Sequence, residues 1–95
     1  MITIDIKGSA NKSLNKIDKK VKGKIQDLLS RVSALDSTSE IDHDGKLKGY
    51  QDRYKIRLGN YQIVYKIESL NHILITAIAH RKDIYNKLFG TILSI

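Results

Sequence analysis

Three cations in the second half of the chain have the types and the spacing to bind a phosphate. Lys55 and Arg57 stand two residues apart in an alternating stretch, and Arg81 ends a later apolar stretch. Guanidinium groups held in place stabilise the negative charge that grows on a phosphodiester during attack by a 2′-hydroxyl. Arg57 and Arg81 are therefore predicted to be clamps for that charge. A lysine crowded by other cations gives up its proton more easily, so Lys55 is predicted to be a general base.

Tyr85 and His80 lie close to Arg81 in the sequence. Tyr85 follows Arg81 by four residues, which places both on one side of a helix, and its ring can stack on a base or place a sugar. His80 has two interpretations. It can transfer a proton near neutral pH, or it can be a satisfied core residue at a strand end, and the second is preferred.

No metal site or other cofactor is predicted. The chain has no cysteine, and its three histidines are scattered, so the ligands of a zinc site are missing. The stretch Asp42-His43-Asp44-Gly45 resembles the start of a calcium loop, but Arg53 stands where such a loop needs a bidentate Glu. Residues 36–45 are therefore interpreted as an acidic surface loop.

A β-hairpin over residues 54–67 is predicted to position two of the three cations. Its turn, Gly59-Asn60, suits a tight primed turn because glycine accepts a positive φ. The turn sets Leu58 opposite Tyr61, and side chains alternate between two faces from there. The predicted core face carries no charge and consists of Tyr54, Ile56, Leu58, Tyr61, Ile63, Tyr65 and Ile67. The other side, which we call the basic face, carries no Asp or Glu and consists of Lys55, Arg57, Gln62, Val64 and Lys66.

Residues 72–81 are almost wholly apolar, which predicts a central strand covered on both faces. If Ile67 pairs with His72, the odd-numbered residues from 73 to 81 share the basic face. That pairing brings Arg81 there with Ala77 and Ala79, whose small side chains leave room for a ligand. A connecting loop one residue longer inverts this parity. The predicted substrate-binding residues around the three cations are Lys48, Gln62, Lys66 and His80.

The rest of the chain supplies a strand and a helical pair. Ile2, Ile4 and Ile6 alternate with polar residues and predict a short first strand. Apolar residues at helical spacing predict helices at about 10–17 and 19–35, which could also be one helix, and a last short helix at 82–89. The fold class is therefore α+β, one domain over residues 1–95: N-terminal strand, two-helix hairpin, three-stranded antiparallel meander and short C-terminal helix. No role is assigned to the apolar tail at 91–95.

Composition narrows the setting and the partners. The chain has 95 residues, enough for one domain, and a net charge of +7, typical of proteins that meet nucleic acid, an acidic protein or another anionic surface. It shows no signal-peptide pattern and no apolar run of transmembrane length. We therefore expect a cytoplasmic protein without a membrane partner.

Three stretches of the chain closely resemble the RelE branch of the RelE/ParE toxin superfamily. They are Leu47-Lys48-Gly49-Tyr50, residues 54–65 of the hairpin, and His80-Arg81-Lys82-Asp83-Ile84-Tyr85. The resemblance spans nearly the whole domain. It implies a small toxin that cuts messenger RNA in the ribosomal A site without metal, through 2′-hydroxyl attack, and that an antitoxin silences.

The resemblance also implies roles for individual residues. Lys55 and Arg57 match the two basic residues of the family's second strand, and Arg81 matches its late arginine. Tyr85 matches the C-terminal tyrosine that stacks on the substrate and orients it. Gln62 departs from the pattern, because the family often has an arginine there. Loss of a charge-assisted hydrogen bond costs ~1.5–3 kcal/mol, or roughly tenfold to a hundredfold in rate, unless Lys48 or Lys66 compensates.

Two alternatives to the ribosome-dependent nuclease stay open. One is a ParE-like inhibitor of DNA gyrase, which needs no catalytic set. The other is a catalytically weakened member that only binds its antitoxin, which the uncharged Gln62 keeps open. In each case we expect an acidic, RelB-like antitoxin whose amphipathic segments fold onto the basic surface in a toxin–antitoxin hetero-oligomer. The nuclease hypothesis adds the ribosome and messenger RNA as partners.

Overall fold

A four-stranded sheet with two helices packed on one side forms the domain in the computed structural model, which describes residues 1–47 and 52–83. The elements are β1 Thr3–Ile6, α1 Gly8–Lys16, α2 Lys19–Ser33, a 3₁₀ helix Thr38–Glu40, β2 Arg53–Leu58, β3 Tyr61–Ser69 and β4 His72–His80. The strand order is β1-β4-β3-β2, with β1 parallel to β4 and the other pairs antiparallel. The predicted α+β class is confirmed. Most of the predicted C-terminal helix and the whole apolar tail lie outside the described residues.

Two helices form in place of one because the backbone extends between them. Ile17 has φ −76° and ψ 147°, and the Asp18 carboxylate accepts a hydrogen bond of 3.2 Å from the Lys20 backbone N–H. This side-chain acceptor satisfies one of the free donors at the start of α2. Leu14 and Ile25 are buried against the sheet. None of the helices in the described part of the chain is long and apolar enough to span a membrane.

The predicted pairing of the hairpin is confirmed along its whole length. Leu58 pairs with Tyr61 across the turn, and Tyr54 pairs with Tyr65 near the other end. Gly59 has φ 61°, the conformation for which the turn needs a glycine. A regular two-stranded ladder therefore presents Lys55 and Arg57 on the same side, the basic face.

The predicted core face of the hairpin packs against the helices. Ile63 and Tyr65 are 0% and 1% exposed and lie in the main core with Ile25 and Ile78. Tyr54 is only half-buried, and its ring stacks on that of Tyr65 with centroids 5.6 Å apart. The charges of the hairpin stay out of this core because the register sends them to the opposite side.

Strand β4 does not follow the predicted register. Ile67 pairs with Ile73 and not with His72, so the predicted pairing is wrong at this end, and Ile73 and Ile75 lie in the main core. A β-bulge at Thr76 then adds one residue to β4, because Tyr65 faces Ile75 whereas Val64 faces Ala77. Because of this extra residue, the odd-numbered side chains of β4 point to the core face before the bulge and to the basic face after it. From Ala77 onwards the odd-numbered residues therefore share the basic face, as the sequence predicts.

Burial of Tyr65 makes stability depend on pH at the alkaline end. Burial, with a smaller contribution from Tyr54, raises the pKa of the Tyr65 hydroxyl from 10.0 to about 12. The folded protein holds this proton more tightly than the unfolded chain does, so the free energy of unfolding is expected to fall as the pH rises from 10 to 12. Urea unfolding at a series of pH values should show a weaker decline for Tyr65→Phe. Identical pH dependence of the two proteins would contradict the assignment.

Candidate functional site

Two rows of side chains cross the sheet on the basic face. Arg57 pairs with Gln62, which pairs with Ala79, and in the next row Lys55, Val64 and Ala77 are neighbours. Adjacent strands lie about 4.8 Å apart, so the ends of a row are about 10 Å apart. Arg57 is exposed and Lys55 is half-buried. Arg57 and Lys55 therefore lie at the β2 ends of two adjacent rows. The row that begins at Arg57 ends at Ala79, two residues before Arg81.

The middle of the basic face is packed. Val64, Ala77 and Ala79 form a second, small core with Leu47, and each of the two alanines is at most 6% exposed. The room for a ligand that their small side chains were expected to leave is therefore not open in this structure. Gln62 is also buried, at 7% exposed. Lys55 and Arg57 lie beside this packed centre, next to Val64 and Gln62.

Arg81 follows directly after β4, at the end of the sheet where the hairpin turns. Its backbone N–H donates a hydrogen bond of 2.8 Å to the carbonyl of Asn60, the second residue of the turn. The side chain is exposed. This hydrogen bond to the turn therefore fixes the main chain of Arg81, whereas the exposed side chain is free to change rotamer.

Lys66 does not stand as an isolated cation. Its Nζ lies 3.7 Å from Asp52 Oδ2 and 3.8 Å from Glu68 Oε1. The expectation that no carboxylate meets the basic face is therefore wrong at this end, because β3 runs on to Glu68 and Asp52 precedes β2. Surface pairs of this kind contribute little to stability, but they reduce the positive potential around Lys66.

His80 lies on the opposite side of the sheet from Gln62 and Ala79. It pairs with Tyr61, a residue of the core face, and the two rings meet edge to face with centroids 5.5 Å apart. Its Nδ1 accepts a hydrogen bond of 3.2 Å from the Lys82 backbone N–H. This placement agrees with the preferred interpretation of His80 as a packed residue at the strand end. Of the remaining predicted site residues, Lys48 and Tyr85 lie outside the described residues.

Sequence reasoning missed one residue at the site, Asp44. It belongs to the stretch interpreted as an acidic surface loop, yet its carboxylate accepts a hydrogen bond of 2.6 Å from the Arg57 backbone N–H. The partners are 13 residues apart, so no local spacing rule connects them. Within the described ranges, no group of three His, Cys, Asp or Glu side chains could hold a metal ion.

The arrangement of the described residues suits an anion that lies along one end of the sheet. Among these residues, the ion pairs take up Lys66 but not Lys55, Arg57 or Arg81. Two guanidinium groups and an amine that are free to donate can hold a phosphate from more than one side. These three groups have the charge and the hydrogen-bond donors that a phosphodiester ligand requires.

Comparison with known proteins gives matches over most of the chain. Residues 4–85 match the family described as the ParE toxin of the type II toxin–antitoxin system parDE. Toxin RelE3 of Methanocaldococcus jannaschii is 29% identical over 76 residues, which are 79% of this chain and 85% of that protein.

Solved structures share the fold at lower identity. The RelB-RelE antitoxin–toxin complex from Methanococcus jannaschii matches with a TM-score of 0.71 at 24% identity, over 86% of this chain and 95% of that one. A mutant of the E. coli toxin RelE in the free state matches with a TM-score of 0.69 at 24% identity, over 96% and 97% of the two chains. The likeness at this identity concerns the fold.

Proposed function

The chain belongs to the RelE/ParE superfamily of toxins from type II toxin–antitoxin systems, and from this premise we propose that it is a ribosome-dependent endoribonuclease. It cuts messenger RNA in the ribosomal A site and needs no metal. The observation that carries the proposal is the placement of Arg57 and Arg81 at the same end of the sheet, with Lys55 one row behind Arg57.

Each cation has a role in this reaction. Lys55 Nζ takes the proton of the 2′-hydroxyl, and the 2′-oxygen attacks the adjacent phosphorus. Arg57 and Arg81 hold the phosphate oxygens and stabilise the added charge. The bond from phosphorus to the 5′-oxygen breaks, which leaves a 2′,3′-cyclic phosphate on one fragment and a 5′-hydroxyl that takes a proton from water. Tyr85 stacks on a base and orients the substrate, and Lys48, Gln62 and Lys66 support substrate binding, whereas His80 packs on Tyr61 at the other side of the sheet.

An acidic antitoxin is the proposed partner in the cytoplasm. The chain carries a net charge of +7, and the similar structures include complexes of RelE with RelB. An antitoxin segment that lays carboxylates over Arg57 and Arg81 would neutralise the groups that bind phosphate. Binding of the toxin to the ribosome and to the antitoxin is then mutually exclusive.

Cleavage in a purified translation system tests the proposal. Messenger RNA is incubated with the protein in the presence and in the absence of ribosomes, and the cut ends are mapped. We expect cuts within A-site codons only when ribosomes are present. Intact messenger RNA with active ribosomes and folded protein would refute the nuclease.

The second candidate is inhibition of DNA gyrase. Two observations favour it. The matched family is described as the ParE toxin, and the row of side chains that begins at Arg57 has the uncharged Gln62 where a nuclease could use a further cation. A supercoiling assay with purified gyrase separates this activity from the nuclease. A protein inactive in both assays that still binds its antitoxin would be a catalytically weakened member.

Replacing Gln62 with arginine is expected to raise cleavage by roughly tenfold to a hundredfold, the effect of one charge-assisted hydrogen bond to phosphate. Gln62 is 7% exposed, so we expect the arginine stem to stay covered while its longer side chain brings the guanidinium to the surface. Initial rates with purified ribosomes check the prediction, and Gln62→Met is the uncharged control of similar size. No gain in a variant of unchanged melting temperature would show that Gln62 does not limit the reaction.

A further inference from the structure

The outer edge of β2 is paired with a segment of the preceding loop. The Asp44 N–H donates to the Lys55 carbonyl at 2.8 Å, and the Lys55 N–H donates to the Gly45 carbonyl at 2.9 Å. Further along, the Leu47 N–H donates to the Arg53 carbonyl at 2.8 Å. The loop that contains Asp44 therefore adds a short antiparallel segment to a strand that would otherwise be an open edge of the sheet.

The side chain of Asp44 continues this ladder by one step. The Arg57 N–H points to the same side as the N–H of Lys55, and Asp44 Oδ2 accepts its hydrogen bond at 2.6 Å. A carboxylate thus occupies the place where a backbone carbonyl would accept in a longer strand. Hydrogen bonds to a charged acceptor are shorter and stronger than bonds between neutral groups. Both predicted catalytic residues of β2 are therefore held at their main chain by Asp44 or its neighbour Gly45.

Local structure fixes Asp44 in this position. Gly45 has φ 128°, which an L-residue rarely adopts, and its N–H donates a hydrogen bond of 3.0 Å to His43 Nδ1. The His43 ring packs against the Tyr54 ring at 4.8 Å between centroids. A Cβ at position 45 would lie 3.7 Å from Lys55 Cε, so the stem of Lys55 passes next to this turn.

We propose that Asp44 is a positioning residue that fixes Arg57, and with it the neighbouring Lys55, for the reaction at the phosphate. The inference rests on the proposed nuclease function. Asp44 contacts the main chain of Arg57 and leaves its guanidinium to the substrate. Without the carboxylate, the end of β2 loses its last outer hydrogen bond, and Arg57 moves over a wider range relative to Arg81. Misplacement of a group that acts mainly on the transition state lowers the turnover rate more than it lowers substrate affinity.

Four variants separate positioning from a general effect on the fold. Asp44→Ala removes the acceptor, and Asp44→Asn keeps an acceptor oxygen at the same reach without the charge. Asp44→Glu keeps the charge but displaces it by one methylene, and it serves if the alanine variant does not fold. Asp42→Ala is the matched control, because Asp42 is an exposed carboxylate two residues earlier in the same loop.

The measurements are amide hydrogen exchange by NMR and steady-state cleavage with purified ribosomes. In Asp44→Ala we expect faster exchange at the Arg57 amide, with unchanged exchange at Ile63, and about a tenfold lower kcat with KM within about twofold. Asp44→Glu should resemble Asp44→Ala. Asp44→Asn should recover most of the rate, and Asp42→Ala should match the wild type.

Three results would overturn the inference. They are an unchanged Arg57 amide in Asp44→Ala, an equal loss in Asp42→Ala, and an asparagine variant as slow as the alanine variant. A wild-type protein that cleaves nothing refutes the nuclease function itself. An active wild type with an equally active Asp44→Ala refutes only the positioning role.

Discussion

Replacing Arg81 with alanine is expected to lower messenger RNA cleavage about a hundredfold while the fold stays intact. A guanidinium that donates two hydrogen bonds to the phosphate contributes about 3 kcal/mol to the transition state, which corresponds to that factor in rate. The fold should persist, because Asn60 binds the backbone N–H of residue 81, which alanine retains. Initial cleavage rates and thermal unfolding of both proteins check the two parts of the prediction.

The neighbouring Lys82 provides the control for the charge of Arg81. It is also exposed, so Lys82→Ala removes one positive charge from nearly the same place. We expect it to change cleavage by less than about threefold, with a somewhat shallower dependence on salt, because one cation fewer faces the RNA. If Arg81→Ala stayed toxic at normal expression, or if both variants lost activity equally, Arg81 would not be a specific phosphate ligand.

Replacing Ile63 with alanine is expected to reduce the free energy of unfolding by about 3 kcal/mol. Ile63 is 0% exposed and lies in the main core, so the change removes apolar contacts and leaves a cavity under the hairpin. Urea unfolding measures the effect. The control is Leu70→Ala, because Leu70 is 73% exposed and should change stability by less than about 0.5 kcal/mol. A loss of similar size in both variants would place the stabilising core elsewhere.

The hairpin was predictable because one local feature determines it. Gly59-Asn60 fixes the turn, the turn fixes the pairing, and alternation then assigns every side chain of both strands to a face. The same reasoning identified the core residues Ile63 and Tyr65. It also placed Arg57 and Lys55 together on the opposite side.

Strand β4 shows the limit of this reasoning. The connection to β3 and the bulge at Thr76 each shift the register by one residue, and alternation in the sequence reveals neither shift. The two shifts add to two residues, an even number, so Ala77 and Ala79 reach the predicted face although Ile73 and Ile75 do not. The sequence pattern predicts Arg81 as the last residue of this strand, whereas the strand ends at His80 and Arg81 follows it.

Contacts between distant parts of the chain could not be predicted at the site. The bond from Arg57 to Asp44 joins a strand to a loop whose composition indicated only a polar surface. The pairing of Lys66 with Asp52 depends on how the chain enters β2. Such contacts follow from the tertiary fold, and a periodicity of two or 3.6 residues carries no information about them.

The bulge at Thr76 also determines where the chain can change in length. Thr76 has no partner in the β3 ladder, and its hydroxyl donates a bond of 3.3 Å to the Val64 carbonyl. Deletion of this residue leaves Ile75 opposite Tyr65 and Ala77 opposite Val64. Loss of one residue at a paired position of β4 would move every following side chain of the strand to the opposite face of the sheet. Relatives that differ by one residue in this strand should therefore differ at the bulge, and sequence alignments should place the gap there.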